Sequence, residues 1–483
     1  MLFSSPVFIF LFLPILFILY YSIPPSLLKV KNTVLVVFSL FFYAWGETFF
    51  VLIMLVSISM NYFFGLLINK QRTENIRRFV LLLAVTANLS LIGYFKYADF
   101  IIENLNAILP MLSLARIKAD PVHLPLGISF FTFQAMSYVI DINRKQADVQ
   151  RNIMNVALYI SLFPQLIAGP IIRYHDIAKQ IASRAVNIDI VAYGIKRFIM
   201  GLAKKMLIAN TLGEVADKIF SIPSGDLTSG LAWLGIASYS MQIYFDFSGY
   251  SDMAIGLGRM FGFKFMENFN YPYISGSLRE FWQRWHISLS TWFRDYLYIP
   301  MGGARCATWR VYFNLFTVFF LCGLWHGASW NFVIWGMMHG FFLVIERIGF
   351  HKILSKLWKP VSITYVLLVV TIAWVFFRAD NLNYAMHYLK AMAGLGQGDN
   401  LAYNASMYID MRIAVVFFCG ALFSTPVYPF LKQKISAFSV KNNNYYLYVT
   451  AYSFHVLILC LLFCASVMRI SADTYNPFIY FRF

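Results

Sequence analysis

Residues 278–290 read Leu-Arg-Glu-Phe-Trp-Gln-Arg-Trp-His-Ile-Ser-Leu-Ser, and residues 324–331 read Leu-Trp-His-Gly-Ala-Ser-Trp-Asn. From Leu278 to Gly340, His286, His326, several tryptophans and a dense set of charges interrupt a chain that is otherwise apolar. Of 483 residues, 60% are hydrophobic and 13% charged, and the mean hydropathy is +0.64. A soluble protein of this composition would expose large apolar patches, so the natural solvent is a bilayer. The apolar runs are long and continuous, which means spanning helices rather than the short alternating strands of a barrel. The chain therefore reads as an all-α polytopic membrane protein. Ionisable residues inside such a chain are costly and by default mark function.

The net charge of +17 does not point to nucleic acid, because the basic residues lie in short loops beside apolar runs, the positive-inside pattern of membrane topology. Cys306, Cys322, Cys419, Cys460 and Cys464 form neither a metal-type pair nor a disulfide framework and read as packing residues. No positive region precedes the apolar run Val7 to Tyr21 and no small-residue cleavage site follows it, so it reads as a first membrane helix.

Lys29 and Lys31 mark one basic loop, and Lys70, Arg72, Arg77 and Arg78 a second. The hairpin Thr33 to Ile68, broken near Gly46 and Glu47, joins them. With both loops cytoplasmic, the N-terminus lies outside. A helix from Phe79 to about Tyr94 crosses outward to a mixed-charge loop holding Asp99, Glu103, Arg116, Lys118 and Asp120. Leu124 to Ile140 returns to Arg144, Lys145 and Arg151. Leu158 to Ile172, interrupted by Pro164, Gly169 and Pro170, is either re-entrant and cavity-lining or a Pro-kinked helix. The segment Ile190 to Ile208 carries Lys196, Arg197, Lys204 and Lys205, which puts parts of it at the membrane interface. Further apolar segments run from Leu231 to Phe263, Ile363 to Phe377, Ile413 to Pro429 and Tyr446 to Val467. Arg347, Lys352, Lys356, Lys359, Lys432, Lys434 and Lys441 alternate onto the cytoplasmic side. The expectation is about eleven spans of roughly 20 residues, in one integral domain over residues 1–483 without internal repeats.

As a helix, Leu278 to Ile299 puts Trp282, Trp285, Leu289, Trp292, Phe293 and Tyr296 on one stripe. His286, Ser290 and Arg294 follow on a neighbouring face, and the whole suits a membrane surface. Periodicity alone favours a packing role for His286. Arg279, Glu280, Arg284, Arg294 and Asp295 read as interfacial anchors and ion pairs. Arg305 and Arg310 before Val311 to Leu324, with Arg347 after Phe332 to Ile345, predict a hairpin whose tip holds Trp325, His326 and Gly327 inside the membrane. A neutral imidazole there can take a proton from a hydroxyl or thiol near neutral pH, and Gly327 and Ala328 leave room for a substrate. The competing reading is a buried structural histidine, the role assigned to His339 and His455. Asp246 and Asp252 need a partner, a basic residue or a histidine. No GxSxG, P-loop, Rossmann fingerprint, HExxH or zinc-type spacing occurs. The residues by themselves thus reach a membrane enzyme or transporter with an intramembrane histidine site.

The combined words are specific. They are Tyr244-Phe-Asp-Phe-Ser-Gly-Tyr-Ser-Asp252, Arg279-Glu-Phe-Trp-Gln-Arg-Trp-His-Ile-Ser-Leu-Ser290, Trp292-Phe-Arg-Asp-Tyr-Leu-Tyr-Ile-Pro-Met-Gly-Gly303, Leu324-Trp-His-Gly-Ala-Ser-Trp-Asn331 and Trp374-Val-Phe-Phe-Arg-Ala379. With them the chain resembles the membrane-bound O-acyltransferase (MBOAT) family, alginate O-acetyltransferase AlgI-like branch. The resemblance implies a multi-helix bundle with a central tunnel, plus short interfacial or re-entrant helices, in the bacterial inner membrane. It maps the family's essential histidine onto His326 and its second polar position onto His286, with no metal. It implies acyl transfer from a cytoplasmic thioester such as acetyl-CoA to an SGNH-type periplasmic or extracellular partner that modifies a polysaccharide such as alginate. The alternatives are a DltB-like D-alanyl transfer toward teichoic acid, or a transporter or flippase with a histidine-lined site.

Overall fold

A backbone in a bilayer has no water to pair with, so it must satisfy its polar groups internally, and helices do this segment by segment. A computed structural model describes residues 1–396, 398, 403–441, 445–472 and 475–477, and no strand occurs among them. The helices are α1 (Leu13–Ser22), α2 (Leu28–Ala44), α3 (Val51–Lys70), α4 (Glu74–Ile108), α5 (Ile128–Asn143), α6 (Ile153–Ser161) and α7 (Phe163–Leu166). They continue with α8 (Tyr174–Ala182), α9 (Ile188–Ala203), α10 (Asn210–Phe220), α11 (Ser229–Met260), α12 (Leu278–Arg284), α13 (Ile287–Phe293) and α14 (Thr308–His326). The last are α15 (Trp330–Ile345), α16 (His351–Leu354), α17 (Lys359–Arg378), α18 (Leu382–Met392), α19 (Met411–Phe423), α20 (Val427–Lys441) and α21 (Tyr445–Ala472).

Among the described residues, five helical segments are long and apolar enough to cross a membrane: Val51–Lys70, Glu74–Leu112, Trp330–Leu354, Lys359–Arg378 and Val449–Ala472. A sixth arises if Met411–Phe423 and Val427–Lys434, bent by 66°, form one span. The expected total of about eleven also counted shorter or more polar segments, such as Phe8–Ser22 and α11.

Two expectations change, and of two alternatives left open for a third segment the irregular, buried one is found. Helix α4 does not stop near Tyr94 but runs to Ile108, carrying Lys96, Asp99 and Glu103 into helix. The predicted crossing from Leu124 becomes helical only at Ile128, because Gly127 adopts a left-handed conformation (φ 73°). The broken stretch near Pro164 is a short α7 followed by irregular backbone over residues 167–173, and residues 161–172 are buried. Irregular backbone at membrane depth is tolerated where protein surrounds it, and here Phe163 N donates to Ser39 Oγ (3.0 Å) and Ile171 N to Ser288 Oγ (3.0 Å).

The spine of the bundle is the antiparallel pair α9 and α11. Gly194 faces Gly256, and Gly201 faces Gly249, so closely that a Cβ on either α9 glycine would lie 2.5–2.6 Å from the facing carbonyl oxygen. Small residues let helices approach where lipid offers no hydrophobic drive. The basic residues expected at the interface turn inward around this seam. Lys205 pairs with Asp246 (2.7 Å), Lys204 and Arg197 both pair with Asp252 (2.7 Å each), and Arg197 also reaches Glu267 (2.5 Å). Only Lys196 keeps the expected outward place, over the Tyr452 ring at 4.8 Å.

Gly201→Val forces this seam apart and lowers stability by about 3 kcal/mol or more, read as a lower melting temperature in detergent; unchanged melting would refute the packing. Asp246→Leu alone leaves the Lys205 ammonium buried beside an apolar side chain and costs roughly 3–5 kcal/mol. Adding Lys205→Met recovers part of that loss, which a double-mutant thermal cycle measures.

Candidate active site

Helices α14 and α15 form the predicted hairpin, and His326 is the last residue of α14. The turn is tight. Gly327 is extended (φ −164°, ψ 149°), and a Cβ there would lie 2.1 Å from the Phe332 ring. The His326 ring meets Trp325 (4.9 Å between centroids), Trp335 (4.9 Å) and Phe377 (5.2 Å). The residue is 5% exposed, and its Nδ1 has no hydrogen-bond partner among the described residues.

His286 reaches the same place by a different route. The single helix expected over Leu278 to Ile299 is broken at this histidine. Trp285 is extended (φ −102°, ψ 129°) and His286 is left-handed (φ 43°, ψ 53°), between α12 and α13. A side chain resists that conformation, at about 1–2 kcal/mol, so neighbouring bonds must hold it. Ile287 N donates to Asn268 O (3.0 Å), and Ser288 N and Oγ both donate to Asn268 Oδ1 (3.1 and 2.9 Å). Asn270 N donates to Arg284 O (2.9 Å) on the other side of the break. The break swings His286 away from Ser290 and Arg294 and buries it fully. Its ring lies 4.6 Å from Phe247, 6.0 Å from Trp325 and 6.4 Å from His326. Neither of its nitrogens has a hydrogen-bond partner among the described residues.

A cavity of about 350 Å³ opens beside His326, with Glu47, Lys96, His123, Ser129, Phe130 and Trp325 among its lining residues. At its rim Glu47 accepts from Leu126 N (3.3 Å) and lies 3.2 Å from His123 Nε2. On its inner wall Lys96 donates to the carbonyls of Trp325 (2.5 Å) and His326 (3.1 Å).

The structure thus brings His286 and His326 together and leaves the other candidates apart. Ser290 bonds back to Trp285 O (3.4 Å), and Arg294 pairs with Asp295 (2.7 Å). Arg284 pairs with Glu280 (2.9 Å), as expected of this group. His339 Nδ1 accepts from Trp282 Nε1 (3.3 Å), in keeping with a packing role. Asp246 and Asp252 find basic partners rather than a histidine. No cluster of three or more His, Cys, Asp or Glu side chains able to hold a metal ion occurs among the described residues. Sequence reasoning missed Lys96. The signal was a lone lysine in the apolar stretch after Phe79, which a helix ending near Tyr94 had moved into a loop.

Comparison with known proteins supplies the family. A family model described as MBOAT, membrane-bound O-acyltransferase family, matches residues 91–386. The chain is 43% identical over 492 residues to a probable alginate O-acetylase AlgI of Pseudomonas putida and 41% identical over 506 residues to that of Azotobacter vinelandii, each alignment covering 100% of both chains. It is 34% identical over 522 residues to a peptidoglycan O-acetyltransferase of Helicobacter pylori, covering 100% of this chain and 98% of that one. An all-helical chain matched over residues 91–386 and aligned end to end with such relatives is a multi-pass acyltransferase that belongs to the membrane-bound O-acyltransferase family.

Proposed function

We propose that this chain moves an acetyl group from a cytoplasmic thioester, acetyl-CoA, across the inner membrane for O-acetylation of an extracellular or periplasmic polysaccharide such as alginate. The acetyl group leaves through an SGNH-type partner, and residues 1–483 work as one integral domain with the N-terminus outside. The observation that carries the reading is the pair of buried rings, His286 and His326, with centroids 6.4 Å apart and open ring nitrogens among the described residues, and with His326 lining a cavity. The two rings are close neighbours, and a reacting group lodged between them would meet both. The end-to-end relatives named for O-acetylation of alginate and of peptidoglycan support the acetyl group and the polymer acceptor.

In this scheme His326 is the general base. It takes the proton of the acceptor hydroxyl as that oxygen attacks the thioester carbonyl. The tetrahedral intermediate collapses, the C–S bond breaks, and the same proton returns to the departing thiolate as free CoA. His286 orients and polarises the carbonyl. The reaction needs no covalent acyl-enzyme. The cytoplasmic basic loops favour an anionic donor such as CoA.

The test uses purified protein in liposomes, radiolabelled acetyl-CoA and an SGNH-type partner. His326→Ala lowers acetyl transfer and CoA release by about 10²–10⁴-fold while the protein remains folded; equal transfer in both proteins removes His326 from the mechanism. His286→Asn, which can still hydrogen-bond a carbonyl, retains more kcat than His286→Ala, and the reverse order would reject the orienting role. A transporter would move its substrate with the thioester intact, so CoA release dependent on His326 separates the two classes.

A further inference from the structure

The hairpin that carries His326 ends inside the bundle, and its end is held by α4. An α-helix leaves its last carbonyls without partners. Gly327 N serves Gly323 O at 3.2 Å, which leaves the carbonyls of residues 324, 325 and 326. Side chains of two adjacent α4 residues donate to all three. Tyr97 Oη donates to Leu324 O (2.8 Å), and Lys96 Nζ donates to Trp325 O (2.5 Å) and His326 O (3.1 Å). Ser129 Oγ lies 3.4 Å from the same ammonium, so the three N–H groups of Lys96 have three acceptors within the protein. One helical face continues the contact: Phe100 packs on Trp330 at 5.7 Å, and Trp330 Nε1 donates to Asn104 Oδ1 (2.9 Å).

Resting on the functional reading above, we infer that Lys96 is a positioning residue for the acyl-transfer reaction: by clamping the last two carbonyls of α14 it sets where the His326 ring stands on the cavity wall. A lysine suits this place for two reasons. Its ammonium can serve two carbonyls and a hydroxyl from one point, which neither an amide nor a hydroxyl can do. Its charge also complements the negative end of the α14 dipole. The side chain is 8% exposed and lines the cavity that His326 lines. Because its donors are already used, Lys96 acts through His326 rather than by holding an anionic ligand. Asn104 and Tyr97 tie the same two elements together without touching the His326 carbonyl, and they separate positioning from hairpin stability.

The experiment measures steady-state acetyl transfer from acetyl-CoA in liposomes for the wild type, Lys96→Met, Lys96→Gln, Tyr97→Phe and Asn104→Ala, with a melting temperature for each. Lys96→Met lowers kcat by roughly tenfold or more while KM for acetyl-CoA changes by less than about twofold. Lys96→Gln, which keeps two donors without the charge, falls between it and the wild type. Asn104→Ala and Tyr97→Phe lower the melting temperature with kcat within about twofold of wild type. Wild-type kcat in either Lys96 variant overturns the inference, as does an equal fall of kcat in Asn104→Ala at a matched loss of melting temperature. If Lys96→Met does not fold, Lys96→Gln decides by the same criterion. Failure of the wild type to show His326-dependent transfer is a separate result, which overturns the functional reading and with it the role of Lys96.

Discussion

Everything around the site depends on one constraint: helices that end inside an apolar bundle must find partners for their terminal backbone groups within the protein. At the end of α14 those partners are Lys96 and Tyr97. Just beyond the start of α15, Asn331 Nδ2 donates to Ala379 O (2.6 Å), which ties the hairpin to the end of α17. In the irregular run after α7, Tyr159 Oη donates to the carbonyls of Gln134 and Ile172 (3.1 and 2.8 Å). The bonds at α14 and α15 join elements distant in sequence, whereas those of Tyr159 join near neighbours along the chain. Of the side chains that supply these bonds, Lys96 also lines the cavity.

The two histidines differ from the paired charges of the α9–α11 spine in what they lack. The carboxylates of Asp246 and Asp252 meet lysine or arginine within 2.7 Å, and the α9–α11 spine gains a set of buried, paired charges. Among the described residues His286 has no such partner, nor does Nδ1 of His326. Burial of an unpaired polar group is unfavourable, and native proteins keep few of them. In the proposed reaction the partner that these nitrogens lack is the substrate.

Their enclosure is aromatic. Trp292 stacks on Phe133 at 3.8 Å, Phe133 lies 5.6 Å from Trp325, and Trp325 lies 4.9 Å from His326. Rings fill space without adding acceptors that would occupy the histidines. On the opposite flank the left-handed turn at His286 is held by Asn268, so the position of this imidazole is set by backbone hydrogen bonds rather than by helical periodicity.

Composition and apolar run length determined an all-helical membrane protein, because a backbone in lipid has few ways to satisfy itself. The charged flanks of Val311 to Ile345 determined the hairpin with His326 at its tip, and the motif words around Tyr244, Arg279 and Leu324 determined the family. The hairpin was legible because both of its helices are continuous and its turn carries glycine. Helical spacing alone did not make His286 a neighbour of His326, which only the family resemblance implied, since that spacing assumes an unbroken helix and the break depends on Asn268, 18 positions away. Lys196, Arg197, Lys204 and Lys205 all read as interfacial, and only the approach of α9 to α11 decided which of them turned inward to a carboxylate. Lys96 likewise took its meaning from the end of a helix more than two hundred residues later. Local pattern determines which segments become helices. Pairing of buried polar groups is a contact between distant segments, and tertiary packing alone decided it.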